Sequence, residues 1–289
     1  MRSRKYVYYC LTIPALLLMA AFIALPLGNS VRLSFYKWNG YSQHMRWVGL
    51  NNFIKIASDQ YFLRTVGNTL IYGIGSTILQ NVTGLMAALF LNKRFAGRNS
   101  VRVILYMPIM ISGFIMGQIL YYFVQYDGGV FNEILQMFGG QNVYWMGTGL
   151  SATAIITLVN SWQYMGISML IYLAGLQNIP VMYREAARLD GAGVWKEFTN
   201  VTLPLLIPAI TTAVILNLIG GLKLYDVIVS MSNGGPNRAS MSLSFYISVL
   251  YFNDAKAGYS SALGIVTFLI IMVLSWGTSA WLHKKEVEY

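Results

Sequence analysis

Residues 185–204 read EAARLDGAGVWKEFTNVTLP, and the fold turns on what this stretch is. Glu185, Arg188, Asp190, Lys196 and Glu197, with Arg184 immediately before them, place three positive and three negative charges in a chain otherwise poor in them. That is too polar to lie in lipid and too apolar for a linker. EAARL and VWKEF read as short helices joined at Asp190-Gly191-Ala192-Gly193, where glycine permits a tight turn. Pro204 then stands near the start of the next apolar run, where its missing N–H costs little. A helix–turn–helix with an apolar side of Ala187, Val194, Trp195 and Phe198 needs something to dock against, either a protein or lipid headgroups.

The rest of the chain says what surrounds it. Of 289 residues, 56 % are hydrophobic and 10 % charged, against roughly 25 % charged in soluble domains. Such a chain cannot cover a water-facing surface, so it reads as an all-α integral membrane protein. Six runs are long enough to cross a ~30 Å hydrocarbon core: about 7–27, 66–91, 103–124, 150–173, 203–222 and 262–282. The first has the basic start of a signal peptide, but its apolar part is long enough to span and no small-x-small cleavage site follows. It is expected to be a retained helix. Glycines within the runs let helices approach closely. Cys10 is the single cysteine, so no disulfide or cysteine metal site forms within the chain. His44 and His283 lie outside the runs, so no catalytic residue and no metal site is expected in the membrane. The net charge of +10 belongs to membrane topology, with no nucleic acid partner.

Lys and Arg placement favours both termini in the cytoplasm. Segment 125–149 has Asp127 and Glu133 and no Lys or Arg, as an external loop should, while 92–102 is short and basic. The misfit is 28–65, assigned outside yet carrying Arg32, Lys37, Arg46, Lys55 and Arg64. On this topology the charged stretch faces the cytoplasm.

Glu185-Ala186-Ala187, three residues, Gly191, nine residues and then Val201-Thr202-Leu203-Pro204 resembles the EAA loop of ABC importer permeases. Val201 in place of isoleucine is its one departure. Residues 47–73, WVGLNNFIKIASDQYFLRTVGNTLIYG, and 222–236, LKLYDVIVSMSNGGP, are similar to carbohydrate permeases of the maltose-transporter large-subunit type. The resemblance extends over essentially the whole chain. It implies one permease domain over 1–289, with the six-helix type I importer fold and a cytoplasmic EAA helix-turn-helix at about 180–202. It also implies a second permease subunit, an ATPase dimer, an extracytoplasmic sugar-binding protein and a sugar cargo, an oligosaccharide of the raffinose or α-galactoside kind. The chain has no G-x-x-x-x-G-K-[ST], so ATP and Mg would be bound by the partner ATPase, and the chain itself is not expected to be an enzyme. Glu185, Ala186, Ala187, Asp190, Gly191, Trp195 and Phe198 are the ATPase-coupling candidates.

A sugar needs hydrogen-bonding groups and flat apolar surface in a concave site. The amides in the runs are Asn68, Gln80, Asn81, Gln118, Asn160, Gln163 and Asn217, and most such amides join helices. Two clusters stand out: Trp162, Gln163 and Tyr164 in one run, and Asn217, Gly221 and Leu224 at i, i+4 and i+7 in another. The resemblance adds weight to Asn217, Gly221, Leu224 and Gln163 as sugar contacts, with glycine at 221 leaving a wider pocket. Lys223 and Asp226 are expected to pair. The competing readings are an ABC permease for a non-sugar solute such as a polyamine, and an ion-coupled carrier. The carrier would need ionisable residues deep in the membrane.

Overall fold

The computed structural model describes residues 12–286. The basic residues Arg2, Arg4 and Lys5, together with Cys10 and the start of the 7–27 run, lie outside them. Among the described residues, four helices are long and apolar enough to cross a bilayer: α1 (Thr12–Ser34), α3 (Phe62–Asn92), α7 (Gly149–Asn178) and α13 (Ala257–His283). Between α1 and α3 come a two-residue hairpin, β1 (Tyr36–Lys37) and β2 (Arg46–Trp47), and the short α2 (Asn51–Ala57).

The other two expected spans are not straight, which corrects the reading of 103–124 and 203–222 as single helices. The first divides into α4 (Arg98–Met110) and α5 (Gly113–Val124), bent by 101°. Pro108 sits in a tight 3₁₀ turn, and Ile111 and Ser112 are extended. The Ser112 hydroxyl accepts from the Ile115 amide and restarts the helix. The second divides into α9 (Val194–Leu205) and α10 (Ile207–Leu222), bent by 67°. Pro204 and Pro208 flank that break, each removing a backbone donor. If each bent pair counts as one span, six result. Shorter helices α6 (Val130–Met137), α8 (Val181–Leu189), α11 (Asp226–Met231) and α12 (Leu243–Asn253) complete the chain.

The chain resolves into two compact units. One contains the residues up to Phe62 with Tyr246–Leu269. In it, β1 and β2 pair antiparallel with Tyr36 opposite Trp47. Buried Asn52 of α2 donates to the Ser34 and Tyr36 carbonyls at 2.8 and 3.0 Å, fastening α2 to the hairpin.

The other unit contains Leu63–Phe245 and the residues from Ile270. Its core joins Ala88 and Leu91 of α3, Met169, Tyr172, Leu173 and Leu176 of α7, and Ala213 of α10. Lipid tails are as apolar as leucine, so apolar contact alone sets no register between membrane helices. Amides supply it. Asn160 Nδ2 donates to Ser76 Oγ at 2.9 Å, Gln80 Nε2 to the Asn160 carbonyl at 3.1 Å, and Asn217 Nδ2 to Ser168 Oγ at 2.6 Å. Tyr172 donates its hydroxyl proton to Asn81. Asn68 reaches the Ala239 and Met241 carbonyls at 2.7 and 3.0 Å, anchoring the loop before α12.

Candidate functional site: a polar cleft and a charged loop

Where α3, α7 and α10 meet, the larger unit opens a cleft of about 300 Å³ lined by Gln80, Asn160, Tyr164, Asn217, Lys223 and Asp226, among others. All three of these amides donate to another helix through the bonds just described. Gln80 keeps a free acceptor: the side chain is 2 % exposed, and its Oε1 has no hydrogen-bond partner. A buried polar atom without a partner is unfavourable by about 1–3 kcal/mol, and a solute hydroxyl entering the cleft would supply the missing donor.

The structure brings some expected residues to this cleft and not others. Asn217, Gly221, Leu224 and Tyr164 line it. Leu224 does so from outside the helix, since α10 ends at Leu222 and the Leu224 amide closes a turn onto the Gly221 carbonyl at 3.2 Å. The expected helical ladder of three therefore has two rungs and a turn. Gly221 also serves the packing of two helices. A Cβ there would stand 2.7 Å from the Tyr72 carbonyl oxygen and 2.9 Å from the Gly73 Cα, so glycine is what lets α10 cross α3.

Gln163 and Trp162 are not among the lining residues. Gln163 is fully buried and donates to the Ile111 carbonyl at 2.9 Å, pinning the break between α4 and α5. Trp162 is 46 % exposed. Successive helical residues point about 100° apart, so a run of three neighbours cannot share one cleft. Lys223 and Asp226 both border it, but among the described residues no salt bridge joins them.

The charged loop is built from α8 and the start of α9, joined by residues 190–193. Its spacing has a backbone cause. The Gly191 amide donates to the Arg188 carbonyl at 3.0 Å and the Ala192 amide to the Ala187 carbonyl at 2.9 Å. That pair of bonds is the Schellman closure of a helix, which needs a left-handed residue next to its end. Gly191 has φ +80°, and a Cβ there would meet nothing within 4 Å. The glycine is required by backbone conformation, not by crowding within the chain.

Sequence reasoning passed over the residue that holds this loop together. Glu197 is 6 % exposed and accepts from Arg184 Nε at 2.7 Å and Arg188 Nε at 2.8 Å, one on each carboxylate oxygen. Its hydrogen bond and charge hold the Arg188 guanidinium further above its ordinary pKa. Arg184 and Arg188 stand four apart, hence on one face of α8, and that was the available signal. With those charges satisfied internally, Glu185, Ala186 and Asp190 remain exposed, and Ala187 and Phe198 half-buried. Leu189, Val194 and Trp195 are 89, 87 and 75 % exposed. The Trp195 and Phe198 rings lie 6.1 Å apart.

The sequence profile described as binding-protein-dependent transport system inner membrane component matches residues 80–284, which takes in both the cleft and the loop. The chain belongs to this family. It is an integral membrane permease subunit. It is 33 % identical over 264 residues to the trehalose/maltose transport system permease protein MalF of Thermococcus litoralis, covering 91 % of this chain and 89 % of that one. To the multiple sugar-binding transport system permease protein MsmF of Streptococcus mutans it is 30 % identical over 277 residues, covering 94 and 93 %. Its fold matches that of a bacterial ABC transporter involved in the import of the acidic polysaccharide alginate, with a TM-score of 0.84, 24 % identity, and 98 and 96 % of the two chains covered. The permease thus has the type I importer fold.

Proposed function

We propose that this permease forms half of the path of an ATP-driven importer of neutral oligosaccharides, with raffinose and other α-galactosides within its range. The observation that carries the reading is the cleft. It holds an unpartnered amide oxygen on Gln80, further amides on Asn160 and Asn217, and the ring of Tyr164, which is the mixture of hydrogen-bonding and flat apolar surface that a sugar needs. Full-length relatives named for trehalose/maltose and multiple-sugar transport support it.

In this reading both termini are cytoplasmic and the α8–α9 loop seats in a partner ATPase, which binds ATP and Mg. A second permease completes the path, and an extracytoplasmic sugar-binding protein delivers cargo. Exposed Trp195, Val194 and Leu189 are apolar anchors of the kind that dominate interfaces, and Glu185 is an exposed carboxylate beside them. Closure of the ATPase then pulls on α8 and α9. Because Glu197 clamps α8 to α9, the pull passes to α10 and so to the cleft.

Uptake of a panel of labelled sugars into cells with and without the chain tests the cargo. Loss of α-galactoside uptake on deletion is the expected outcome. Loss of polyamine uptake with sugars unaffected would overturn it. Asn217→Ala is expected to weaken sugar uptake severalfold while the complex still assembles. Normal uptake in that variant would make Asn217 a pairing residue only.

A further inference from the structure

The basic segment that runs against the usual distribution of charge gathers around one feature. In the unit containing α1, α2 and the start of α13, a cavity of about 950 Å³ is lined by Lys37, Arg46, Lys55 and Lys256, with Asp59 as its single carboxylate. Asp59 is already engaged. Its Oδ2 accepts from the Tyr246 and Tyr259 hydroxyls at 2.7 and 2.6 Å, and its Oδ1 from the Tyr61 amide at 2.9 Å. Lys256 has Asp254 at 3.8 Å. Among the described residues no salt bridge neutralises Lys37, Arg46 or Lys55.

The walls are held in place. Lys37 and Arg46 face each other across the hairpin. Between them Trp38 Nε1 donates to the Ser42 carbonyl at 2.8 Å, and Asn39 Oδ1 accepts from the Tyr41 and Ser42 amides. Large apolar side chains stand exposed beside the cationic ones in the chain: Trp47 next to Arg46 at 62 %, Ile54 next to Lys55 at 67 %, and Leu50 and Phe252 at 62 and 68 %. Cations interleaved with exposed aromatic and aliphatic groups, on segments flanking membrane helices, suit the headgroup region of a bilayer.

We propose that this cavity binds the phosphate headgroup of an anionic phospholipid. Lys37, Arg46, Lys55 and Lys256 supply charge to the phosphate, and the exposed apolar side chains meet its acyl chains. Asp59 binds no lipid. It fixes Tyr246 and Tyr259 in the wall. The site accounts for basic residues retained in 28–65 against the topological bias. It rests on the chain's being embedded in a membrane and on nothing about its cargo, so a failed sugar-uptake assay leaves it standing.

The test uses the assembled transporter in phosphatidylcholine nanodiscs containing graded phosphatidylglycerol. Native mass spectrometry counts the phosphatidylglycerol retained by the wild type and by K37Q, R46Q, K55Q and their triple combination. Retention is expected to fall about fivefold for each charge removed, with phosphatidylcholine unchanged and Lys55→Arg like the wild type. Inorganic phosphate is expected to compete in the wild type, which keeps the test decisive if the triple variant does not assemble. Competition that leaves no lipid bound even at low phosphate would point to the free anion as the ligand and overturn the lipid assignment. Equal retention in wild type and variants overturns it. So does unchanged retention together with weaker docking of the sugar-binding protein, which would make the cavity a protein contact.

Discussion

The α8–α9 loop and the cavity beside the β1–β2 hairpin are both charged regions of a chain that carries few charges, and they use them in opposite ways. In the loop, Glu197 consumes Arg184 and Arg188, and apolar Leu189, Val194 and Trp195 are left facing outward. In the cavity, four cations surround one carboxylate that is occupied by tyrosines. Charge that is satisfied within the chain builds a rigid element for an apolar partner. Charge that is left over calls for a ligand of opposite sign.

The largest effect should come from removing the loop's internal pairing. Glu197→Ala leaves two arginines without their carboxylate and frees α8 from α9. Coupled ATP hydrolysis in the assembled transporter is expected to fall at least tenfold, and amide exchange in α8 to accelerate. Glu197→Gln should fall between. By contrast, the triple glutamine variant of the cavity should leave coupled hydrolysis within about twofold of wild type. If both regions respond alike, the distinction between structural and unspent charge is wrong. Glu185→Lys changes an exposed charge only, so it should weaken ATPase pull-down with α8 exchange unaltered. Faster exchange would mean that Glu185 also serves the fold.

A smaller effect is expected at Gly191. A left-handed conformation strains a non-glycine residue by roughly 1–2 kcal/mol, and asparagine tolerates it better than alanine. Gly191→Ala should therefore lower coupled hydrolysis more than Gly191→Asn, although asparagine is larger. The reverse order would show that a partner approaches Gly191 closely and that bulk, not φ, decides.

The smallest effect belongs to Asp59. Burial pushes its carboxyl up, but hydrogen bonds from Tyr259 and Tyr246, the Tyr61 amide and the charge of Lys256 outweigh this and hold its pKa below the ordinary value. Its contribution is therefore fully present above about pH 4 and is lost as pH falls through the lowered folded value. Asp59→Asn should lower the thermal midpoint of the complex by a few degrees at neutral pH, with the difference from wild type shrinking in acid. A constant difference across that range would mean the tyrosines do not depend on the charge.

Much was legible from local pattern. Each apolar run overlaps a long helix or a bent helix pair among the described residues, because a helix in lipid must satisfy its own backbone and needs about twenty apolar residues to do so. The loop was legible because its glycine and its charges break that monotony. Hydropathy counts residues without regard to direction, so it did not show that 103–124 bends by 101° at Ile111 and Ser112. For the same reason Gln163 was grouped with Tyr164, though one pins the α4–α5 break and the other lines the cleft.

The sequence by itself determined the class of molecule, the family and the place of the charged loop, since composition and motif spacing are properties of the chain read in order. Tertiary structure alone decided which amides pair helices and which face the cleft, that Gly221 serves a crossing, that Glu197 clamps two arginines, and that Lys37, Arg46, Lys55 and Lys256 share one cavity. Most of those outcomes depend on residues far apart in sequence meeting at a few ångströms, as Asn217 and Ser168 do. A hydrogen bond forms only at contact distance, so a pattern read along the chain does not say which distant side chains meet.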